Sequence, residues 1–329
     1  MFIQKLFSPI ERFISKKDDD FVIFDLGSRY LKALVVNNGK IKDVFVVKNS
    51  QGTVKSSVDL LREKKLNTKT VNISLQGPDT IVRYIPFAKG NNKNIKEIFA
   101  YELNKYLPFP ADSVYFDIVT VDEDYSNEES LFLLAAAKKS AVNPLLEGFQ
   151  KEKISIGGIG LNFVGLINIL SLAENIDNAA IVDLGFSSTL FTLIKKKVPY
   201  LSREIKISGG NLLERAIKNK NISQEEAEEA IVSSSQPAEF LQAADDILVH
   251  LCEEIKSSLD YFEMNTGEHI KDLYLVGGFS LIKNIDKVIS GHLGIKAKNL
   301  DFSSNNCFED TRSLSVPKEM LAVVLGLSL

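Results

Sequence analysis

Cysteine is nearly missing from this chain of 329 residues, which has only Cys252 and Cys307. Neither has metal-ligand spacing or a partner motif, so a cysteine-held metal centre and a disulfide scaffold are both excluded. Cys252 falls on the apolar face of a helical stretch and reads as a core thiol in a reducing, cytoplasmic setting. Histidine is scarce too: His250, His269 and His292 lie far apart, without a catalytic pattern. A basic excess is also lacking. The net charge is −4, and the lysines and arginines are scattered without aromatic interleaving, so nucleic acid is not expected as a partner. No stretch is long enough to span a bilayer, and none has the form of a signal peptide. What is present is a 45% hydrophobic composition, enough for a substantial core in two to three subdomains.

Two segments half a chain apart read almost alike. Asp25-Leu-Gly-Ser-Arg-Tyr-Leu-Lys32 and Asp183-Leu-Gly-Phe-Ser-Ser-Thr-Leu190 each follow an apolar β-type run and precede another. Gly27 and Gly185 let backbone N–H groups approach an anion closely. Ser28, Ser187, Ser188 and Thr189 add hydroxyl donors, and Lys32 adds a positive charge. Asp25 and Asp183 would repel a naked phosphate, but they suit a hydrated Mg²⁺, which keeps its waters and uses few carboxylates. One such segment alone reads as an ordinary tight hairpin. Two in matching context read as a duplicated grip on a nucleotide polyphosphate. A third glycine feature fits this reading: the buried-strand run Leu273–Val276 ends in Gly277-Gly278-Phe279, ahead of a helical stretch from Leu281 to Leu293. A strand, a double glycine and a helix start allow close approach to a nucleoside or phosphate.

Strand-like runs at 21–26, 31–36, 41–48 and 71–75 with a helix near 56–66 give a β-β-β-α-β half, and 179–207 repeats β-β-β. Residues 83–153 read as an insert of strand, helix, strand, strand and a closing helix at 141–151. Further on, Ser223 and Glu226 form a capping box for a helix at 224–231, a long helix runs from Ala238 to Phe262, and an apolar helix from Met320 to Leu327. Residues 1–17 place Phe2, Ile3, Leu6, Phe7, Ile10, Phe13 and Ile14 at helical spacing among lysines, with Pro9 as a kink. This basic amphipathic leader suits an anionic membrane or a partner groove through residues 2–14; packing on its own domain is the alternative.

The order of hairpin, hairpin and strand-Gly-Gly resembles the actin/Hsp70/sugar-kinase ATPase superfamily. Within it, four more stretches are similar to the PilM family of type IV pilus assembly, relatives of the division protein FtsA. They are Tyr101-Glu-Leu-Asn-Lys-Tyr-Leu-Pro-Phe-Pro110, Leu134-Ala-Ala-Ala-Lys-Lys139, Ile207-Ser-Gly-Gly-Asn-Leu212 and Glu254-Ile-Lys-Ser-Ser-Leu-Asp-Tyr-Phe262. The Tyr-Leu-Pro-Phe-Pro element singles out the family, and the likeness runs from about Phe21 to Leu329.

The resemblance implies an α/β, actin-like ATPase fold: two duplicated RNase H-like halves around a nucleotide cleft, with a small 1C insert. The implied divisions are 18–82 as subdomain 1A, completed by 154–175 and 316–329, then 83–153 as 1C, 176–210 with 263–315 as 2A, and 211–262 as 2B. It implies ATP or ADP with Mg²⁺, held by Asp25, Gly27, Ser28, Arg29, Lys32, Asp183, Gly185, Ser187, Ser188, Thr189, Gly209, Gly210, Asn211, Gly277, Gly278 and Phe279. Lys256 would lie on the adenine or ribose side if the geometry of DnaK holds. Asp25 and Asp183 would face Mg²⁺ through water. The implied partner is the N-terminal cytoplasmic peptide of a PilN-like membrane protein, against Phe99, Leu103, Tyr106 and Phe109. Those residues also suit the insert's own core. The protein would work at the inner face of the cytoplasmic membrane, and self-association is open.

The chain departs from the family at Arg29-Tyr30, Phe186 and Phe279, where small residues are usual and bulk could crowd a phosphate. Arg29 could instead bind the phosphates itself. In the crossover Gly160-Leu-Asn-Phe163, where the family usually carries an acidic pair, Asn162 cannot act as a base. No catalytic residue is assigned; Asp183, the acid that remains, is the one possible candidate, but it is needed near Mg²⁺. Slow turnover or none is therefore expected. A division filament like FtsA would end in a linker and membrane helix, whereas this sequence ends in a core-like run. An active ATPase or kinase of the same fold remains a further alternative, with no acceptor-activating acid to support it.

Overall fold

Phe21–Leu26 carries no polar side chain before Asp25, and it becomes β1, a central strand whose first residues are all buried. The computed structural model describes residues 21–38, 40–90, 94–172, 177–233, 237–300 and 316–328. The leader at 1–17, and with it the contact expected of residues 2–14, lies outside them. Two compact units result. One comprises residues up to Ile169 and from Val323 onward; the other runs from Leu170 to Ala322. The passages between units fall at 169/170 and 322/323.

In the first unit β1 pairs antiparallel with β2 (Tyr30–Asn37), which pairs with β3 (Lys40–Lys48). Helix α1 (Thr53–Glu63) leads to β4 (Thr70–Leu75), parallel to β1. A second sheet follows from β5 (Thr80–Ala88), β6 (Val114–Asp122) and β7 (Glu129–Lys138), in the order β5-β7-β6. Helix α2 (Ile95–Glu102) and a 3-10 turn at Leu103–Lys105 cover this sheet. This is the expected insert, begun three residues earlier than 83 and with its helix shorter than 94–106. Helix α3 (Lys139–Lys151) was expected to close the insert. It touches the insert, where Tyr115 donates to Asn143 at 3.0 Å, and it packs on α1 as well, where a Cβ at Gly148 would meet Val54 at 3.0 Å and Arg62 bonds Glu152 at 2.7 Å. Strand β8 (Ser155–Leu161) then joins β4, completing the order β3-β2-β1-β4-β8.

Helix α4 (Asn162–Leu172) crosses the terminal helix α10 (Ala322–Leu327) at two glycines: a Cβ at Gly326 would fall 1.9 Å from the Gly165 carbonyl oxygen. No larger residue fits there, and Asn168 Nδ2 donates to the Gly326 carbonyl at 2.9 Å.

The second unit repeats the first sheet. Strands β9 (Ala179–Leu184), β10 (Thr189–Lys195), β11 (Val198–Ile205), β12 (Asp272–Val276) and β13 (Lys296–Asn299) take the order β11-β10-β9-β12-β13. Strand β13 has two lysines in four residues and no alternation to announce it. Helices α5 (Gly209–Lys220), α6 (Gln224–Ser233), α7 (Pro237–Ala243) and α8 (Asp245–Thr266) follow β11, and α9 (Ile285–Leu293) follows β12. The predicted Ser223/Glu226 box starts α6, with the Ser223 N–H 2.7 Å from the Glu226 carboxylate. The single helix expected from Ala238 to Phe262 is two, broken at Ala244 (φ −113°, ψ 15°). Asp245 and Asp246 fill the first turn of the new helix, where acids meet its positive end.

Candidate functional site: two acidic hairpins and a glycine turn

In the first hairpin Leu26 faces Leu31 and Asp25 faces Lys32. Adjacent positions on antiparallel strands bring their side chains together, and Lys32 Nζ lies 2.8 Å from Asp25 Oδ2. Asp25 is 4% exposed, so this is a buried pair whose strength depends on further hydrogen bonds. They come from the ends of neighbouring strands. Ser74 Oγ donates to Asp25 Oδ1 at 3.3 Å, and Asn162 Nδ2 reaches the same oxygen at 3.5 Å while donating to Gln76 Oε1 at 2.8 Å. The other amide atom, Asn162 Oδ1, is buried without a hydrogen-bond partner. Gly27 is required: a Cβ would fall 2.4 Å from the Tyr30 carbonyl oxygen and 3.0 Å from Lys32 Nζ. Asn49, which the sequence reading missed, pins the loop, its Nδ2 donating to the Gly27 carbonyl at 3.0 Å and its N–H to that of Arg29 at 2.9 Å. Ser28 is exposed and Arg29 half-buried.

The second hairpin has the same register, Leu184 facing Thr189 and Asp183 facing Leu190. Gly185 plays the part of Gly27, for its Cβ would fall 2.7 Å from the Ser188 carbonyl oxygen. Ser187 is exposed, and Ser188 Oγ donates to Glu204 at 2.6 Å. Thr189 departs from its expected place among the surface donors. It is wholly buried in the sheet, and its hydroxyl has no partner there.

The other glycine motifs of this unit converge on that hairpin. The N–H of Gly209 donates to Gly185 and that of Gly210 to Phe186, each at 2.9 Å, so both amides are engaged within the protein. Asn211 closes a capping box with Ser208, accepting from the Ser208 N–H at 3.0 Å. Gly277 (φ +90°) touches Asp183: a Cβ would fall 2.2 Å from its Oδ1. Gly278 is followed by a 3-10 turn at Gly278–Leu281, and α9 starts only at Ile285, so the expected helix start at Leu281 is corrected. The Phe279 ring is 8% exposed, lies over Gly209 and stacks 6.3 Å from Phe186. It belongs to the core of the second unit. Lys256 is exposed on α8, and no described contact joins it to these loops.

Of the residues expected to meet a partner peptide, Phe99 (0%) and Leu103 (1%) are sealed in the core of the small sheet with Phe132 and Leu134. Tyr106 and Phe109 are half-buried; Tyr106 stacks on Phe99 at 5.4 Å, and Lys138 Nζ sits 4.3 Å from the Phe109 ring centre. The exposed apolar side chains of α2 are Ile98 and, at 91%, Tyr101.

Among the described residues no cluster of three or more histidine, cysteine or acidic groups could hold a metal, and no helix is long and apolar enough to cross a membrane. Cys252 is buried, and burial, with Asp245 nearby, pushes its thiol up to about 12.

The family model described as type IV pilus assembly protein PilM matches residues 12–329. Among solved structures, the chain resembles one described as the PilM-PilN type IV pilus biogenesis complex, with 23% identity, a TM-score of 0.80 and coverage of 94% of this chain and 98% of the other. It also resembles the ethanolamine utilization protein EutJ of Carboxydothermus hydrogenoformans (13% identity, TM-score 0.58, coverage 100% and 93%). A protein of Bacteroides thetaiotaomicron with an actin-like ATPase fold matches at 12% identity and TM-score 0.50, over 94% and 97% of the two chains. The α/β architecture is thus actin-like.

Proposed function

We propose, on the premise that this chain belongs to the type IV pilus assembly protein PilM family, that it is a Mg-nucleotide-dependent partner-binding protein of pilus assembly. The acidic hairpins at Asp25 and Asp183 are read as its phosphate-binding loops. The observation that carries this reading is the cluster around Asp25. A buried carboxylate on β1, a lysine on β2 and, at the start of α4, an amide with an unpartnered Oδ1 stand together. An orphaned buried acceptor is costly, and a ligand-borne water or hydroxyl would satisfy it. Bound Mg²⁺ would neutralise phosphate charge; Lys32 and the amides of 27–29 would orient the phosphates, and Asp25 would hold a metal-bound water.

Asn162 is a donor to Asp25 and Gln76, not a base, so turnover should be too slow for a mechanical cycle. Occupancy is enough for a switch, because a ligand shifts a conformational equilibrium by its differential affinity. The output is binding of the N-terminal cytoplasmic peptide of a PilN-like membrane protein, which places the chain at the inner face of the membrane through that partner. The apolar rim is Tyr106 and Phe109, with Tyr101 and Ile98 alongside on α2.

Calorimetric titration tests the nucleotide reading. Mg-ATP should bind at or below millimolar concentration and more weakly to Asp25→Ala and Asp183→Ala; no heat from the wild type overturns it. Phosphate release near 1 per second, a working enzyme's rate, would refute slow turnover. For the peptide, folded Phe109→Glu should lose the complex in a pull-down, and equal peptide affinity with and without ATP would remove the coupling.

A further inference from the structure

The turn from β10 to β11 is made by residues that do not favour it. Lys195 faces Val198, so the loop is Lys196-Lys197, and both have left-handed backbones (φ 50° and 65°). A two-residue hairpin with two positive φ angles favours Asn-Gly, since a side chain there meets the following carbonyl. Asn38, which follows β2 in the first unit, also has a left-handed backbone (φ 51°), and there the residue is an asparagine. Two lysines in left-handed positions are strained, and what the turn gains is positive charge.

More lysines lie at the same end of the sheet. Lys271 precedes β12 and Lys296 begins β13, adjacent to Asp272. Lys196, Lys197, Lys271 and Lys296 are exposed and make no salt bridge among the described residues. The acids at this end are Asp177, Glu268 and Asp272. Glu268 is taken by Asn178 and by Lys195 at 3.3 Å, and Asp272 by Lys298 at 3.0 Å. The Asn178 amide, then Lys195, hold the Glu268 carboxyl below its usual range, so it stays charged and paired. Across neighbouring strands the four amines spread over roughly 15 Å.

We propose that this lysine edge of the second unit is a contact for an anionic phospholipid surface. A discrete phosphate is ruled out by the backbone: the N–H of Lys196 donates to Asn178 Oδ1 and that of Lys197 to the Asp177 carbonyl, each at 2.9 Å, so the turn offers no amide nest. There is no arginine fork for bidentate recognition either. Separate flexible ammonium groups in a row suit a diffuse field of headgroups, to which each lysine adds. The proposal stands apart from the nucleotide reading.

The test is co-sedimentation of the full chain with phosphatidylglycerol-containing vesicles and with pure phosphatidylcholine vesicles, comparing wild type with Lys196→Asn/Lys197→Gly. The leader is present in both chains, so the difference reports the turn. The double variant should partition to anionic vesicles about tenfold less, while its melting temperature rises by roughly 2 °C as the turn relaxes. These opposite signs separate lost charge from lost folding. Equal partition of wild type and folded variant overturns the proposal, as does a wild type that ignores anionic vesicles. A duplex RNA shifted by the wild type, unshifted by the variant and winning against vesicles would reassign the edge to nucleic acid.

Discussion

The two acidic hairpins share a register, a glycine and a carboxylate, and they use them differently. Opposite Asp25 stands Lys32; opposite Asp183 stands Leu190. The first acid is tied into a buried ion pair with a serine and an amide on its other oxygen. The second is half-buried and lies against the backbone of Gly277. Duplication thus preserved the turn, which sterics dictate, while the charge around each acid diverged. One hairpin sets a lysine opposite its acid, and the other sets a leucine there and meets the glycine turn of its sheet.

Making the first hairpin resemble the second should have the largest effect. Lys32→Leu leaves Asp25 buried without its cation, and urea denaturation should show a loss of about 3–5 kcal/mol. A loss under about 1 kcal/mol would mean that Asp25 is solvated and the contrast between hairpins is false. The glycine turn gives the next largest effect. Gly277→Ala puts a methyl group against Asp183 at a positive φ and should cost roughly 2–3 kcal/mol, whereas Gly278→Ala, whose nearest neighbour is Met320 Cε at 3.9 Å, should be nearly silent. Equal melting temperatures for the two variants would dissolve the Gly277–Asp183 contact.

A smaller effect is chemical. The folded Cys252 thiol is raised from 9.0 to about 12, so the native state holds a proton that the unfolded state loses in alkali. Stability owed to this group is complete below about pH 9 and declines as pH rises toward 12. At pH 8, alkylation followed by peptide mass mapping should leave Cys252 unmodified until denaturant is added. Rapid labelling of the folded chain would place Cys252 outside the core of the second unit.

The duplicated strands, both hairpins and the α6 capping box were legible because each rests on local rules: apolar runs, a glycine where a side chain would strike a carbonyl, an acceptor at a helix start. The Tyr-Leu-Pro-Phe-Pro stretch identified the family, yet sequence periodicity could not tell which of its aromatics face outward. Phe99 and Leu103 went to the core of the small sheet and left Tyr101 exposed. Phe279 had looked like an obstacle beside a ligand, and its ring instead fills the space over Gly209.

What the amino-acid order determined by itself was the placement of turns, charges and apolar runs, because sterics and solvation act within a few residues. It also contained the family's motifs in their order. Only the tertiary structure decided which partner each polar group found. Asp25 is joined by Ser74 and Asn162, which lie far apart in the chain, Asn162 in turn bonding Gln76, and Asp183 meets Gly277 across the sheet. Lys196 and Lys197 are held in a conformation that their side chains disfavour. Such contacts depend on sheet order and register, which many distant residues set together, and no local pattern encodes them.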